Sequence, residues 1–217
     1  AVADVNGDDL DDVYIGSASG KVSKLLIQNA QGELIESESK TWNPHKVLED
    51  IDAIFVDIDN DGDNDLYVVS GGNEFSPNSS TYLDRLYIND GNGNFEFKRN
   101  LLPDVYESGS VVRPYDFDND GDFDFLISGY SFDGYKTILF ENKRKKDADG
   151  VTVQPLEVYF EEKEQDFVSV KSGTADFVDF DADGKILYQQ VYGDFTGLMM
   201  KLHHVDDDMG EMHEMEE

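Results

Sequence analysis

Acidic side chains at a fixed spacing are the chemistry this sequence offers. A nine-residue pattern, D-x-[DN]-x-D-G-x-x-D, reads Asp57-Ile58-Asp59-Asn60-Asp61-Gly62-Asp63-Asn64-Asp65 in one copy and Asp116-Phe117-Asp118-Asn119-Asp120-Gly121-Asp122-Phe123-Asp124 in another. A third, Asp4-Val5-Asn6-Gly7-Asp8-Asp9-Leu10-Asp11-Asp12, keeps a carboxylate or amide at positions 1, 3, 5 and 9. A fourth, Asp179-Phe180-Asp181-Ala182-Asp183-Gly184-Lys185-Ile186-Leu187, keeps positions 1, 3, 5 and 6 and ends on Leu187 instead of an acid. Oxygens at alternating positions converge when the chain wraps around a point, a Gly at position 6 permits a sharp turn, and an acid at position 9 closes the shell. Position 7 would add a backbone carbonyl, from Leu10, Asp63, Asp122 or Lys185. A shell of hard oxygens without His or Cys suits calcium rather than zinc or copper, and its many flexible ligands suit calcium better than magnesium. The candidate ligands are Asp4, Asn6, Asp8, Leu10 and Asp12; Asp57, Asp59, Asp61, Asp63 and Asp65; Asp116, Asp118, Asp120, Asp122 and Asp124; and Asp179, Asp181 and Asp183 of the incomplete copy. Three calcium sites are expected, and the fourth lacks its closing acid.

Two other readings compete. A helix-flanked EF-hand loop needs an acid at position 12, where this chain has Ile15, Val68, Ile127 and Gln190. Plain acidic turns are the other, since Asp, Asn and Gly favour turns anyway. Packing several like charges into nine residues costs repulsion that a cation would offset. Calcium is expected to act as a staple and not as a catalyst, and its binding should weaken on acidification because the ligands must be ionised.

The elements that must position these loops read as strands. Short apolar runs precede the last three loops, at Ala53-Ile54-Phe55-Val56, from Val111 to Tyr115, and from Ala175 to Val178. Others follow the loops, at Val13-Tyr14-Ile15-Gly16, from Leu66 to Ser70 and from Phe125 to Gly129. These runs are short, β-branched or aromatic, and bounded by Gly, Asp and Asn, which favours buried strands. Third strands are expected at Lys24–Gln28, Arg85–Asn89 and Thr137–Glu141, and a fourth at Phe95–Lys98 after the turn Asp90-Gly91-Asn92-Gly93-Asn94. Four antiparallel strands per repeat make a propeller blade. The loop starts at 4, 57, 116 and 179 are separated by 53, 59 and 63 residues, a period suited to one such unit per repeat. The fold expected is all-β, about four blades of four antiparallel strands over residues 1–205, followed by an acidic tail, 206–217, without the pattern to order itself.

With the loops, the strand after each, and the hairpin Leu86-Tyr87-Ile88-Asn89-Asp90-Gly91-Asn92-Gly93-Asn94-Phe95, the chain resembles the FG-GAP/VCBS repeat proteins, integrin-alpha-like β-propellers. The stretch from Phe55 to Asn73 is especially similar, and the resemblance covers roughly residues 1–185. It implies a propeller fold, calcium at the matched loop residues and an extracellular setting. Such propellers serve adhesion, carbohydrate binding and scaffolding, and some accompany enzymes. Family propellers close with more blades than four loops supply, so the chain is expected to be part of a larger propeller, packing with further blades or with another chain.

The 217 residues carry 48 acids against 17 Lys and Arg, a net charge of −31. Nucleic acid is excluded as a partner by that sign, an anionic membrane surface is disfavoured, and no apolar window is long enough to span a bilayer. With no cysteine, disulfides, thiolate metal sites and a thiol nucleophile are out. The chain opens Ala1-Val2-Ala3-Asp4 without Met, and a processed protein or a piece of a longer one is expected. His203-His204 with Asp206 to Asp208 could take a transition metal, though a solvated terminus is the plainer reading. Lys143-Arg144-Lys145-Lys146, the one basic run, reads as a hairpin tip, and Trp42 as a core residue before a sugar platform. Glu49, Asp50 and Asp52 could extend a metal shell. No catalytic constellation emerges, so no enzyme is expected. The function expected is an extracellular adhesion or binding scaffold with structural calcium, presenting loops 29–48, 73–84 and 141–152 to a protein or glycan at a cell surface. The alternatives are a lectin, or the catalytic or non-catalytic part of a polysaccharide-degrading enzyme.

Overall fold

The computed structural model describes residues 1–118, 120–131, 134–144, 158–163, 172–178, 187–192 and 200–204. The fourth loop's Asp179, Asp181 and Asp183 and the tail 206–217 lie outside them. The chain is all-β, with two single-turn 3-10 helices, at Asn43–His45 and Ser80–Tyr82, among the described residues. The first sheet runs β1 (Val2–Ala3), β2 (Asp12–Ile15), β3 (Lys24–Gln28) and β4 (Leu34–Glu36). The second runs β5 (Asp50–Val56), β6 (Asp65–Ser70), β7 (Arg85–Asn89) and β8 (Phe95–Phe97). The third runs β9 (Ser108–Tyr115), β10 (Asp124–Ser131), β11 (Gly134–Arg144) and β12 (Val158–Lys163). A further sheet of β13 (Ser172–Val178), β14 (Leu187–Tyr192) and β15 (Met200–His204) follows. Every pairing is antiparallel and every sheet keeps chain order, so each four-stranded sheet is a propeller-like blade.

Side-chain alternation along the strands explains how the blades stack. All six residues of β6 are buried, which a strand achieves only when both faces are covered. Its Leu66 and Val68 join Val5, Tyr14, Leu25 and Trp42 of the first repeat. Its Tyr67 and Val69 join Val112, Phe125, Ile127 and Phe140 of the third. The two clusters are thus the two inter-blade layers, and the second blade is the shared wall. Trp42 is 4% exposed, with ring centroids 5.2 Å from Tyr14 and 4.8 Å from Tyr87. That confirms the core reading and removes it as a sugar platform.

Within the second blade, where it meets the first, lies a buried ion pair that the sequence did not announce. Arg85 donates from its guanidinium to Asp50 Oδ1 at 2.5 Å, with both side chains 3% exposed. The other oxygen of Asp50 accepts from Tyr14 Oη, Ser17 N and Ser23 Oγ. Asp52 accepts from Val112 N and Arg113 of the third blade. Asp50 and Asp52 therefore knit blades together instead of extending a metal shell. Two other expectations are also corrected. Lys143 and Arg144 are strand residues of β11, opposite Tyr159 and Val158, and not a hairpin tip, because β11 runs on past Glu141; Lys145 and Lys146 lie outside the described residues. His203 and His204 pair with Tyr188 and Leu187 within the β14–β15 ladder and are not part of a free tail.

The blades approach so closely that glycine is required where a strand leaves the sheet. A Cβ built on Gly71, after β6, would stand 2.4 Å from the carbonyl oxygen of Gly109 and 2.6 Å from Ile51 Cγ1. Gly71→Ala is therefore expected to destabilise the protein by about 1–3 kcal/mol through overpacking, seen as a lower thermal midpoint. Gly32→Ala is not a fair control because Gly32 has φ +78, whereas Gly71 tests packing alone.

Candidate metal centres

Each of the first three loops joins the first and second strands of its blade in one register. Ala3 pairs with Asp12, Val56 with Asp65 and Tyr115 with Asp124, so position 9 always sits opposite the residue before position 1. This is the hairpin setting expected, without a flanking helix. The nine residues must turn sharply inside it, and they do so with left-handed backbone, at positions 4 and 6 of the first two loops and at position 6, Gly121 (φ 90), of the third. In the second loop these are Asn60 (φ 58) and Gly62 (φ 97). In the first they are Gly7 (φ 74) and Asp9 (φ 64), which explains how that copy survives without its position-6 glycine. Asn and Asp tolerate this region better than other side chains do.

Side chains then replace the missing ladder. Asp57 accepts from Asp61 N and Gly62 N at 3.1 and 3.0 Å, and Asp116 from Asp120 N and Gly121 N, each at 3.0 Å. Asp4 accepts from Asn6, Gly7, Asp8 and Asp9. Position 5 holds the amide of position 7: Asp8 that of Leu10, Asp61 that of Asp63, Asp120 that of Asp122. The result is convergence. Oxygens of Asp57, Asp59 and Asp61 lie within 4.8 Å of one another, as do those of Asp116, Asp118 and Asp120. Asp59 Oδ1 is buried with no hydrogen-bond partner. Burial, then the charges of Asp61 and Asp57, pushes the Asp59 carboxyl up to about 6. An orphaned buried oxygen inside a triplet of carboxylates fits a divalent cation, and hard oxygens alone fit calcium. In the first loop Asn6 replaces one carboxylate, and its amide donates to Asp8 Oδ2 at 3.2 Å.

Position 9 behaves differently. Asp12, Asp65 and Asp124 are each fully buried, and each accepts two main-chain amides. One comes from position 2 of its own loop, Val5, Ile58 or Phe117, and the other from the third strand, Gln28, Asn89 or Asn142. These carboxylates lie outside the clustered triplets. Burial pushes Asp65 up to about 7 and Asp124 to about 6, and raises Asp12, against the pull of the two amides. Position 9 is first of all the joint between loop and sheet. Its oxygens have further lone pairs to offer a cation.

The joint extends to the neighbouring blade through two residues that sequence reasoning missed. Asn89 Nδ2 donates to Val5 O of the preceding loop at 2.8 Å, and Asn142 Nδ2 to Ile58 O at 3.1 Å. Three loops are thereby linked through buried bonds: Asp12 to Val5, Val5 to Asn89, Asn89 to Asp65, Asp65 to Ile58, Ile58 to Asn142 and Asn142 to Asp124. The available signal was an Asn closing the apolar third strand twice, in Tyr87-Ile88-Asn89 and Phe140-Glu141-Asn142. Of the other predicted positions, Asp63 lies against the β7–β8 turn, where a Cβ on Gly91 would meet its carboxylate at 2.4 Å, and Asp122 is buried.

Asn89→Ala and Asn142→Ala should each cost about 1–3 kcal/mol, since either leaves a buried carbonyl without its donor. An unchanged thermal midpoint for both would remove the inter-blade link. The raised carboxyls also set a pH dependence. Asp59, Asp65 and Asp124 hold protons in the metal-free fold that the unfolded chain has released, so stability falls as pH rises from about 4 to about 7. Melts in chelator should accordingly drop between about pH 5 and 7.5, and excess calcium should flatten that slope.

The FG-GAP-like repeat family matches the chain twice, over residues 4–68 and 57–127. Each match runs from one nine-residue loop into the strand that follows the next. No curated protein matches the chain. The two matches together cover more than half of the 217 residues, in the segments where loop, register and strand order repeat, and the chain belongs to the FG-GAP-like repeat family.

Proposed function

We propose that the chain is a calcium-stapled scaffold of propeller-like blades that works outside the cell and presents its inter-strand loops to a protein or glycan partner. The observation that carries this is the pair of Asp triplets, 57/59/61 and 116/118/120, each converging within 4.8 Å in the same hairpin register. In the second loop Asp57, Asp59, Asp61 and the Asp63 carbonyl would hold the ion, with Asp65 completing the shell. In the third, Asp116, Asp118, Asp120 and the Asp122 carbonyl would do so with Asp124. Asp4, Asn6, Asp8, the Leu10 carbonyl and Asp12 would serve the first loop. Bound calcium supplies charge neutralisation and a cross-link within the hairpin. The residues do the rest: position 1 and position 5 carboxylates fix the loop's amides, and position 9 carries that order into the sheet.

An extracellular setting suits both the family and a multi-carboxylate site, because calcium is plentiful there. No helix among the described residues is long and apolar enough to cross a membrane. Scaffolding is favoured over sugar binding because Trp42 is committed to the core, and the segment 29–48 expected to form a contact loop spends that residue and His45 as a plug on Tyr87 and Phe97.

Isothermal titration of metal-stripped protein should show at least two calcium ions bound. The thermal midpoint should climb with free calcium, each site adding about 2.7 kcal/mol at a hundredfold excess over its dissociation constant. Asp59→Asn and Asp118→Asn should each remove or weaken one ion. A flat isotherm with an unmoved midpoint would leave the triplets as acidic turns and end the proposal.

A further inference from the structure

The three loops are not equivalent, and the difference lies on the third strand of each blade. Because Asn89 and Asn142 make the same two bonds, to the position 9 carboxylate and to the preceding loop, they fix which residues correspond. Before that position stand Ile88 in the second blade and Glu141 in the third; after it stand Asp90 and Lys143. Gln28, whose amide takes the same carboxylate bond in the first blade, is flanked by Ile27 and Asn29. The third blade alone of these three brings an acid and a base to its loop.

Both side chains reach the cation cluster. The Glu141 carboxyl is within hydrogen-bonding reach of Asp118, the position 3 oxygen donor, and its side chain is 12% exposed. Lys143 Nζ is ion-paired to Glu141 and is close enough to Asp118 and Glu161 to feel both charges. Glu161 faces Glu141 across the β11–β12 ladder, so two acids stand opposite each other with the ammonium beside them. Like charges directly opposite are unfavourable in a sheet, and Lys143 offsets them.

We propose that Lys143 is a tethered counter-cation of the third loop, holding Glu141 and lowering that loop's affinity for a divalent ion relative to the second loop. The proposal rests on the calcium reading above. A monovalent ammonium beside a carboxylate cluster repels an incoming divalent ion, and while paired it keeps Glu141 from adding its charge to the site. The third loop then needs more calcium to fill than the second, and its blade is less dependent on the ion for its charge balance.

Calcium titration of the full chain tests this with three substitutions. Lys143→Met keeps the length of the side chain and removes its charge; one binding step should tighten by roughly tenfold. Lys24→Met, at the exposed pair with Glu36 on the first blade, changes the net charge equally and should leave every step where it was. In an Asp118→Asn background, Lys143→Met should bring no gain. An unchanged isotherm for Lys143→Met, or equal gains from Lys143→Met and Lys24→Met, would overturn the inference and leave the calcium reading standing. A wild-type chain that binds no calcium would instead overturn the reading itself, and this with it.

Discussion

A buried carboxylate that accepts two main-chain amides recurs at Asp12, Asp65 and Asp124, and the architecture hangs on it. Unpaired main-chain amides inside a protein are costly, and a nine-residue acidic loop cannot satisfy its own from a strand ladder. The position 9 acid meets that demand on one side for the loop and on the other for the third strand. Asn89 and Asn142 then pass the constraint on, since each gives its own amide to that acid and its side chain to the loop before. Loop, hairpin and neighbouring blade are ordered by the same few bonds.

Around this joint the apolar layers are simple. The strand after the loop alternates two faces, and in the second blade both are spent, Leu66 and Val68 on one neighbour, Tyr67 and Val69 on the other. The polar contacts between blades are less regular. Asp50 pairs with Arg85 inside the second blade and takes Tyr14, Ser17 and Ser23 of the first on its other oxygen, and Asp52 reaches Arg113 between the second and third. Removing one member of the buried pair would leave an uncompensated charge, which costs far more than the pair itself contributes.

The net charge of −31 acquires a local meaning in this setting. Repulsion is concentrated where carboxylates converge, at the triplets, and there the fold pushes Asp59 toward the neutral form. A proton and a calcium ion are alternative answers to the same field, and a tethered ammonium such as Lys143 is a third. Residues outside the nine positions, Asp90 just after the second blade's third strand and Lys143 within the third blade's, make that field differ from loop to loop.

The sequence by itself determined the repeat, its strand order and the carboxylates that converge, because a period of alternating oxygens and a following apolar run are local patterns. Lys24–Gln28 and Arg85–Asn89 are strands at the bounds expected from sequence. Tertiary structure alone decided the rest. Asp50 and Asp52 look like additional metal ligands until Arg85 and Arg113 arrive from other strands. Lys143 reads as a loop residue until β11 is seen to continue to Arg144. Position 9 reads as the last acid of a metal shell, yet only one of its two amide partners belongs to its own loop; the other comes from the third strand, at Gln28, Asn89 or Asn142, and Asn89 in turn meets Val5 from 84 residues off. Spacing along a chain records what one segment does with itself. It carries no record of which distant strand supplies the donor, and in a stack of blades that partner fixes what each acid is for.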